Sequence, residues 1–224
     1  MDFLPGGFSI DPVEVTILLV TFVIAITVHE FMHAWTAFML GDDTARLLGR
    51  ISLNPVVHFD PIGFLMFILI VLGFPAIAWG KPVPVNTYRL RPLGRFGRHG
   101  SMALVAFAGP LSNVVMGAAA AVSLRLGEVV GSPLGIVQNA LATFMLVNFG
   151  LAAFNMIPVP PLDGSKILAA FLPDFWQPLL ARFEQYGFAI LLLLFLVGGQ
   201  LGGSIIGAIT LPVRDLLLRT FYGA

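Results

Sequence analysis

Apolar residues in this chain come in long blocks. Five stand out: Val13–Leu40, Ile62–Ala78, Met102–Leu126, Leu134–Ile157 and Gly187–Leu211. A helix needs about 20 apolar residues to cross a bilayer, with a range of roughly 17–25. Four blocks meet that length. Ile62–Ala78 is marginal and contains Gly73 and Pro75, so it reads as a re-entrant element. The expected fold is therefore an all-α polytopic membrane protein: a bundle of about four spanning helices, a re-entrant segment and a short extended loop. The whole chain, 1–224, reads as one membrane-embedded domain, with its core over about 13–170 and a C-terminal helix over about 187–211.

Polar and small residues punctuate these blocks. Gly41-Asp42-Asp43 ends the first, with Gly41 available as a helix C-cap. Lys81-Pro82-Val83-Pro84-Val85 must be extended, since each proline pushes its predecessor to β or polyproline geometry. Its two prolines restrict it to an edge strand or an unpaired stretch. The Gly198–Gly203 run interrupts the last block and reads as a packing face for another helix.

Composition agrees with a membrane setting. The chain is 58% hydrophobic and 11% charged, where soluble domains average about 45–50% and about 25%. Its formal net charge is zero, which gives no reason to expect a nucleic-acid partner; the expected environment is a lipid bilayer. There is no cysteine, so thiolate metal sites and thiol nucleophiles are excluded. Met1–Asp11 has no basic residue and does not resemble a cleaved signal peptide.

Charge also separates two topologies. If Ile62–Ala78 is re-entrant, nine Lys and Arg fall on one side of the membrane and three on the other; if it spans, the split is seven to five. The positive-inside rule prefers the first. That places the His33 end of the first helix toward the cytoplasm.

The first block contains His29-Glu30-Phe31-Met32-His33. Residues i and i+4 share a helix face, so the two imidazoles can grip one zinc ion while the glutamate between them acts on water. Inside a bilayer each ionisable group costs roughly 2.5–3.5 kcal/mol on insertion scales, and three in five positions need a compensating partner. Catalytic zinc usually takes a third protein ligand. The candidates are His58, His99, Asp60, Glu128 and Asp163. Asp163 stands out because three prolines precede it and Gly164 follows it, which holds it on stiff, non-helical backbone directly after an apolar block. Such backbone at membrane depth is tolerated where it is buried or lines a water-filled cavity. The re-entrant topology puts Asp163 on the same side as His33. Asp163 would also suit a helix N-cap. A third element, Ala108-Gly109-Pro110-Leu111-Ser112-Asn113, combines close approach, a kink and an amide within a span.

These three elements together resemble the site-2 protease family of intramembrane zinc metalloproteases. That family carries H-E-x-x-H in one membrane helix, G-x-x-x-N in a following one, and N-x-x-P-x-x-x-L-D-G in a third. Here they read His29–His33, Gly109–Asn113 and Asn155–Gly164, in order. The Asn54-Pro55 to Asp60-Pro61 stretch and Trp79–Val85 resemble the compact prokaryotic members, which have no PDZ or CBS module. The resemblance implies His29, His33 and Asp163 as ligands of one Zn2+ per chain, with Glu30 as the base that activates water and then protonates the leaving amine. Asn113 and Asn155 are candidates to orient the substrate backbone or oxyanion; both would also serve as interhelical glue. The implied partners are membrane-spanning substrate proteins, such as membrane-anchored transcription regulators or anti-sigma factors. The implied location is a prokaryotic inner membrane with the site toward the cytoplasm. Such a substrate must unwind locally, and the Trp79–Tyr88 stretch could pair with it by β-augmentation. Two alternatives remain: a different membrane zinc protease using Glu128 or Glu184 as third ligand, and a zinc-binding membrane protein without catalysis.

Overall fold

A computed structural model describes residues 11–72, 76–130, 135–176, 178–180, 182–187, 189, 191 and 203–223. Its helices are α1 (Pro12–Met39), α2 (Thr44–Leu47), α3 (Pro61–Val71), α4 (Gly97–Val130), α5 (Gly135–Asn155), α6 (Asp163–Ala169) and α7 (Gly203–Phe221). The described residues form no strand. Three of these helices (α1, α4 and α5) are long and apolar enough to cross a membrane.

Helix α1 starts where Asp11 caps Val13 N–H and Pro12 takes the first turn. It stops at Leu40, followed by Gly41 with φ +102°. Its buried face runs through Thr21, Ala25, His29, His33 and Ala37 at intervals of four. Small residues on that face let α4 approach closely. Helix α4 lies at the centre, against α1 on one side and α5 and α6 on the other. At one end of the bundle, Ala120, Ala121 and Leu124 of α4 pack with Met145 and Phe149 of α5, and α7 closes this core with Leu217, Leu218 and Phe221.

Helix α3 settles the marginal block. Its 11 residues reach about 16 Å at 1.5 Å each, half of a roughly 30 Å hydrocarbon core. The chain then doubles back. Lys81 N–H donates to His58 O at 2.8 Å, so the two ends of the segment meet. Trp79 returns so close to α3 that a Cβ on Gly63 would lie 2.1 Å from its carbonyl oxygen. The segment is a re-entrant hairpin; Gly73 and Pro75 lie outside the described residues.

The C-terminal helix differs from its expected limits. It continues to Phe221, ten residues past Leu211 and through Pro212. Hydropathy falls there because Arg214, Asp215 and Arg219 appear, yet Leu217, Leu218 and Phe221 keep an apolar face on α5. Most of the expected span and nearly all of the Gly198–Gly203 run lie outside the described residues, as does 1–10.

Gly63→Ala is expected to cost roughly 1–3 kcal/mol through overpacking, read as a lowered melting temperature in detergent. An unchanged melting temperature would contradict the return of Trp79 against α3.

Candidate metal centre

His29 and His33 lie one turn apart on the buried face of α1, and Asp163 opens α6. The chain leaves α5 at Asn155 and turns so tightly that a Cβ on Gly164 would lie 2.3 Å from Met156 O. This turn carries the Asp163 carboxylate onto α1. Asp163 is the first residue of α6, Leu162 holds the N-cap position, and no side chain caps that end. The carboxylate is therefore available to the histidines.

His29 Nε2 and His33 Nε2 are 3.0 Å apart, and each lies 3.2 Å from Asp163 Oδ2. All three residues are buried. The protonation of the rings follows from their other nitrogens. His29 Nδ1 lies 2.6 Å from Asn113 Oδ1, and His33 Nδ1 lies 2.7 Å from Val105 O. Both oxygens only accept. The orientation of the Asn113 amide follows from its network, because its Nδ2 donates to Ala25 O at 3.3 Å and to Asn148 Oδ1 at 2.9 Å. Each Nδ1 thus carries a proton, and each Nε2 offers a lone pair. Three potential lone-pair atoms face one another, an arrangement that a proton or a metal cation among them relieves.

Zinc fits this cluster. Ligand atoms about 2.0–2.1 Å from a tetrahedral ion lie about 3.3 Å apart, close to the observed separations of 3.0 and 3.2 Å. Among the described residues, these three form the group able to hold a metal ion. Helix α4 forms the back wall: a Cβ on Gly109 would lie 2.5 Å from His33 Nε2 and 2.7 Å from His29 Cε1. Only a glycine lets the α4 backbone sit this close to the two rings.

Glu30 and Asn155 line a cavity of about 330 Å3 beside the three residues, whose remaining walls are largely apolar and include Ile26, Ile77, Val83, Met102 and Phe154. Glu30 Oε2 accepts from Val83 N–H at 3.1 Å. Asn155 is half-buried, and its Nδ2 donates to Leu151 O at 3.0 Å. Asn113 takes the second of the two places expected for it, as a bond between helices. It is fully buried, its amide is engaged by His29, Ala25 and Asn148, and it does not line the cavity. Its place is behind His29, where its Oδ1 accepts from the ring Nδ1.

Of the other third-ligand candidates, Asp60 and His58 are engaged elsewhere, and the side chain of Glu128 lies outside those described. Asp60 Oδ1 caps α3 by accepting from Ile62 N–H and Gly63 N–H. His58 Nε2 donates to Ser52 O at 2.8 Å. Burial pushes the His58 pKa down, opposed by that hydrogen bond and aided by nearby Arg50, so the ring is neutral. Burial also lowers the Arg50 guanidinium from its ordinary value, partly offset by the charge of Glu30. His99 and Glu184 line a second cavity of about 930 Å3, which shares Val83, Val85, Met102 and Lys166 with the first.

Two contributors escaped the sequence reading. Asn148 is fully buried; its Oδ1 accepts from Asn113 and its Nδ2 donates to Phe144 O at 2.8 Å. An amide in the middle of an apolar block, two helical turns before Asn155, is the signal for it. Lys166 Nζ lies 3.6 Å from Asp163 Oδ1, and the Asp-x-x-Lys spacing on a helix is its signal.

Comparison with known proteins points the same way. Residues 126–198 match the model of peptidase family M50, a segment that includes Asn155–Gly164. YwhC of Bacillus subtilis, named as a candidate zinc metalloprotease, is 34% identical over 211 residues, covering 91% of this chain and 90% of the relative. Rip2 of Mycolicibacterium smegmatis, named in the same way, is 27% identical over 187 residues, covering 82% and 68%. The zinc metalloprotease MJ0392 of Methanocaldococcus jannaschii is 27% identical over 137 residues, covering 56% and 38%. No solved structure gives a significant match.

Asn113→Ala is expected to weaken zinc binding by about 10–100-fold, the usual effect of removing a partner that orients a ligand, with helicity retained. Zinc titration against a competing chelator reads the loss; wild-type affinity would contradict the positioning role.

Proposed function

Because this chain belongs to peptidase family M50, the site-2 type of zinc metalloprotease, we propose that it is an endopeptidase acting within or next to membrane-spanning segments of other proteins. The observation that carries the reading is the triangle of His29 Nε2, His33 Nε2 and Asp163 Oδ2, set beside Glu30 in an apolar cavity. We assign one zinc ion per chain to those three residues. When bound, zinc supplies a Lewis acid and a water whose pKa falls to about 7.

The chain's own residues do the rest. His29 and His33 are fixed by Asn113 and Val105 O, so the ligands need no rearrangement. Glu30, on the turn between them, takes a proton from the attacking water and delivers it to the leaving nitrogen. Asn155 faces the cavity and orients the substrate backbone. The largely apolar lining suits a hydrophobic segment, which must be locally unwound because helical peptide bonds are already hydrogen-bonded. Residues that break helices should make a segment a better substrate.

For orientation, we place α1, α4 and α5 across an inner membrane with the His33 end of α1 toward the cytoplasm. The re-entrant hairpin supports this, since it returns the chain to the side it left and gives the nine-to-three split of cations. Direct contact between Asp163 and both histidines also requires their ends of α1 and α5 to share a side. Membrane-anchored regulators of transcription and anti-sigma factors are the substrate class we expect.

Purified protein in detergent is expected to hold about one zinc per chain, largely lost in Asp163→Ala. Glu30→Gln should keep the metal while cleavage of a reconstituted membrane-segment substrate falls about 10²–10⁴-fold. A wild type that takes up no zinc when supplied with it, or a Glu30→Gln variant with full activity, would overturn the reading.

A further inference from the structure

Among the described residues lining the cavity beside the histidines, Lys166 is the one Lys or Arg. Its Nζ lies 3.6 Å from Asp163 Oδ1, the second oxygen of the carboxylate whose Oδ2 meets both histidines. The same residue lines the second cavity of about 930 Å3, so it stands where the two adjoin. The second cavity differs in character. Arg98 and His99, in the first turn of α4, join Lys166 in its wall, with the hydroxyl residues Thr87 and Ser165. The N-terminal end of this long helix adds partial positive charge at the same place. Glu184 is the one carboxylate among the described lining residues there.

Peptide hydrolysis makes an anion inside the largely apolar first cavity. The water oxygen joins the carbonyl carbon, the C–N bond breaks, and a proton goes to the leaving nitrogen. The new acid then ionises, and its proton passes to the amine. One fragment now ends in a carboxylate, the other begins with an ammonium. An unpaired carboxylate is costly among apolar groups, and the charges of Glu30 and Asp163 beside it are of the same sign. A further cavity of about 290 Å3, reached past Trp79 and Gly80, gives no relief. Its described lining has no Lys or Arg and includes Asp60. Of these spaces, the second offers the anion its cations.

We propose that the cavity of Arg98, His99 and Lys166 is a product site, which takes the newly formed C-terminal carboxylate of the cleaved chain. Lys166 meets the carboxylate first, because it belongs to both cavities. Arg98 then holds it, since a guanidinium presents a fork of donors that matches a carboxylate. The proposal rests on the protease reading for the origin of that carboxylate. Both cations lie on the side assigned above to the cytoplasm, so the site also gives release a direction.

Product binding tests this without turnover. The probes are two fluorescein-labelled peptides of one apolar sequence, one ending in a free carboxylate and the other in an amide. Their affinities are read by anisotropy against zinc-loaded protein in neutral detergent. Wild type should bind the acid about tenfold more tightly than the amide, the worth of one hydrogen bond to a charged group. Arg98 is exposed, so it can be replaced without opening the core. Arg98→Gln should remove most of the preference for the acid, and Arg98→Lys should keep most of it. A preference that survives Arg98→Gln in full puts the carboxylate elsewhere, as on the bound zinc, and overturns the proposal. Equal affinities in wild type also overturn it, and leave an anionic lipid headgroup as the occupant to test. Cleavage of a membrane-segment substrate by wild type is scored separately. Its absence counts against the protease reading, and the comparison of acid with amide still decides what the cavity binds.

Discussion

Three lone pairs crowded into one dry space are the constraint on which the rest of this molecule turns. Two imidazole nitrogens and a carboxylate oxygen, about 3 Å from each other, repel in a medium where electrostatic terms are weakly screened. A bound cation offsets that repulsion. Metal binding and folding are thereby linked: an ion that binds only the native arrangement stabilises it by mass action. The surrounding architecture is a frame for this triangle. Helix α1 gives two corners, the turn into α6 gives the third, and α4 closes the back at Gly109.

Behind the triangle the polar groups form a closed chain. His29 donates to Asn113, Asn113 donates to Asn148, and Asn148 donates to the Phe144 carbonyl within its own helix. Three helices are joined by amides that have their donors and acceptors engaged, deep in an apolar interior where an unmet polar group is costly. The same network that sets the tautomer of His29 therefore also sets the spacing of α1, α4 and α5.

Much of this was legible in the sequence. Block lengths gave the long helices, and the i, i+4 histidines gave the ligand face. The proline-stiffened approach to Asp163 marked a carboxylate held off helix. The re-entrant hairpin followed from a block too short to span and from the distribution of arginines. What stayed hidden depends on packing between distant parts of the chain. Asn113 looked equally suited to a substrate or to a neighbour, and only its three-dimensional surroundings show that its amide is used inside the bundle. Lys166 and Arg50 read as loop charges, yet one pairs with Asp163 and the other donates to the Lys81 carbonyl. The last helix outran its hydropathy because one apolar face survives among charged residues, a feature that averages over a window erase.

The two prolines of the Lys81–Val85 stretch have a consequence for how copies of this protein behave toward each other. An extended segment with open backbone groups is a template for pairing with another chain, and proteins crowded in a membrane meet their neighbours often. Pro82 and Pro84 remove the donors from the outward edge. Sheet growth from one molecule to the next is blocked there, while on the other edge the Lys81 and Val83 donors are engaged by His58 O and Glu30. The segment can thus remain extended without becoming a seed for aggregation.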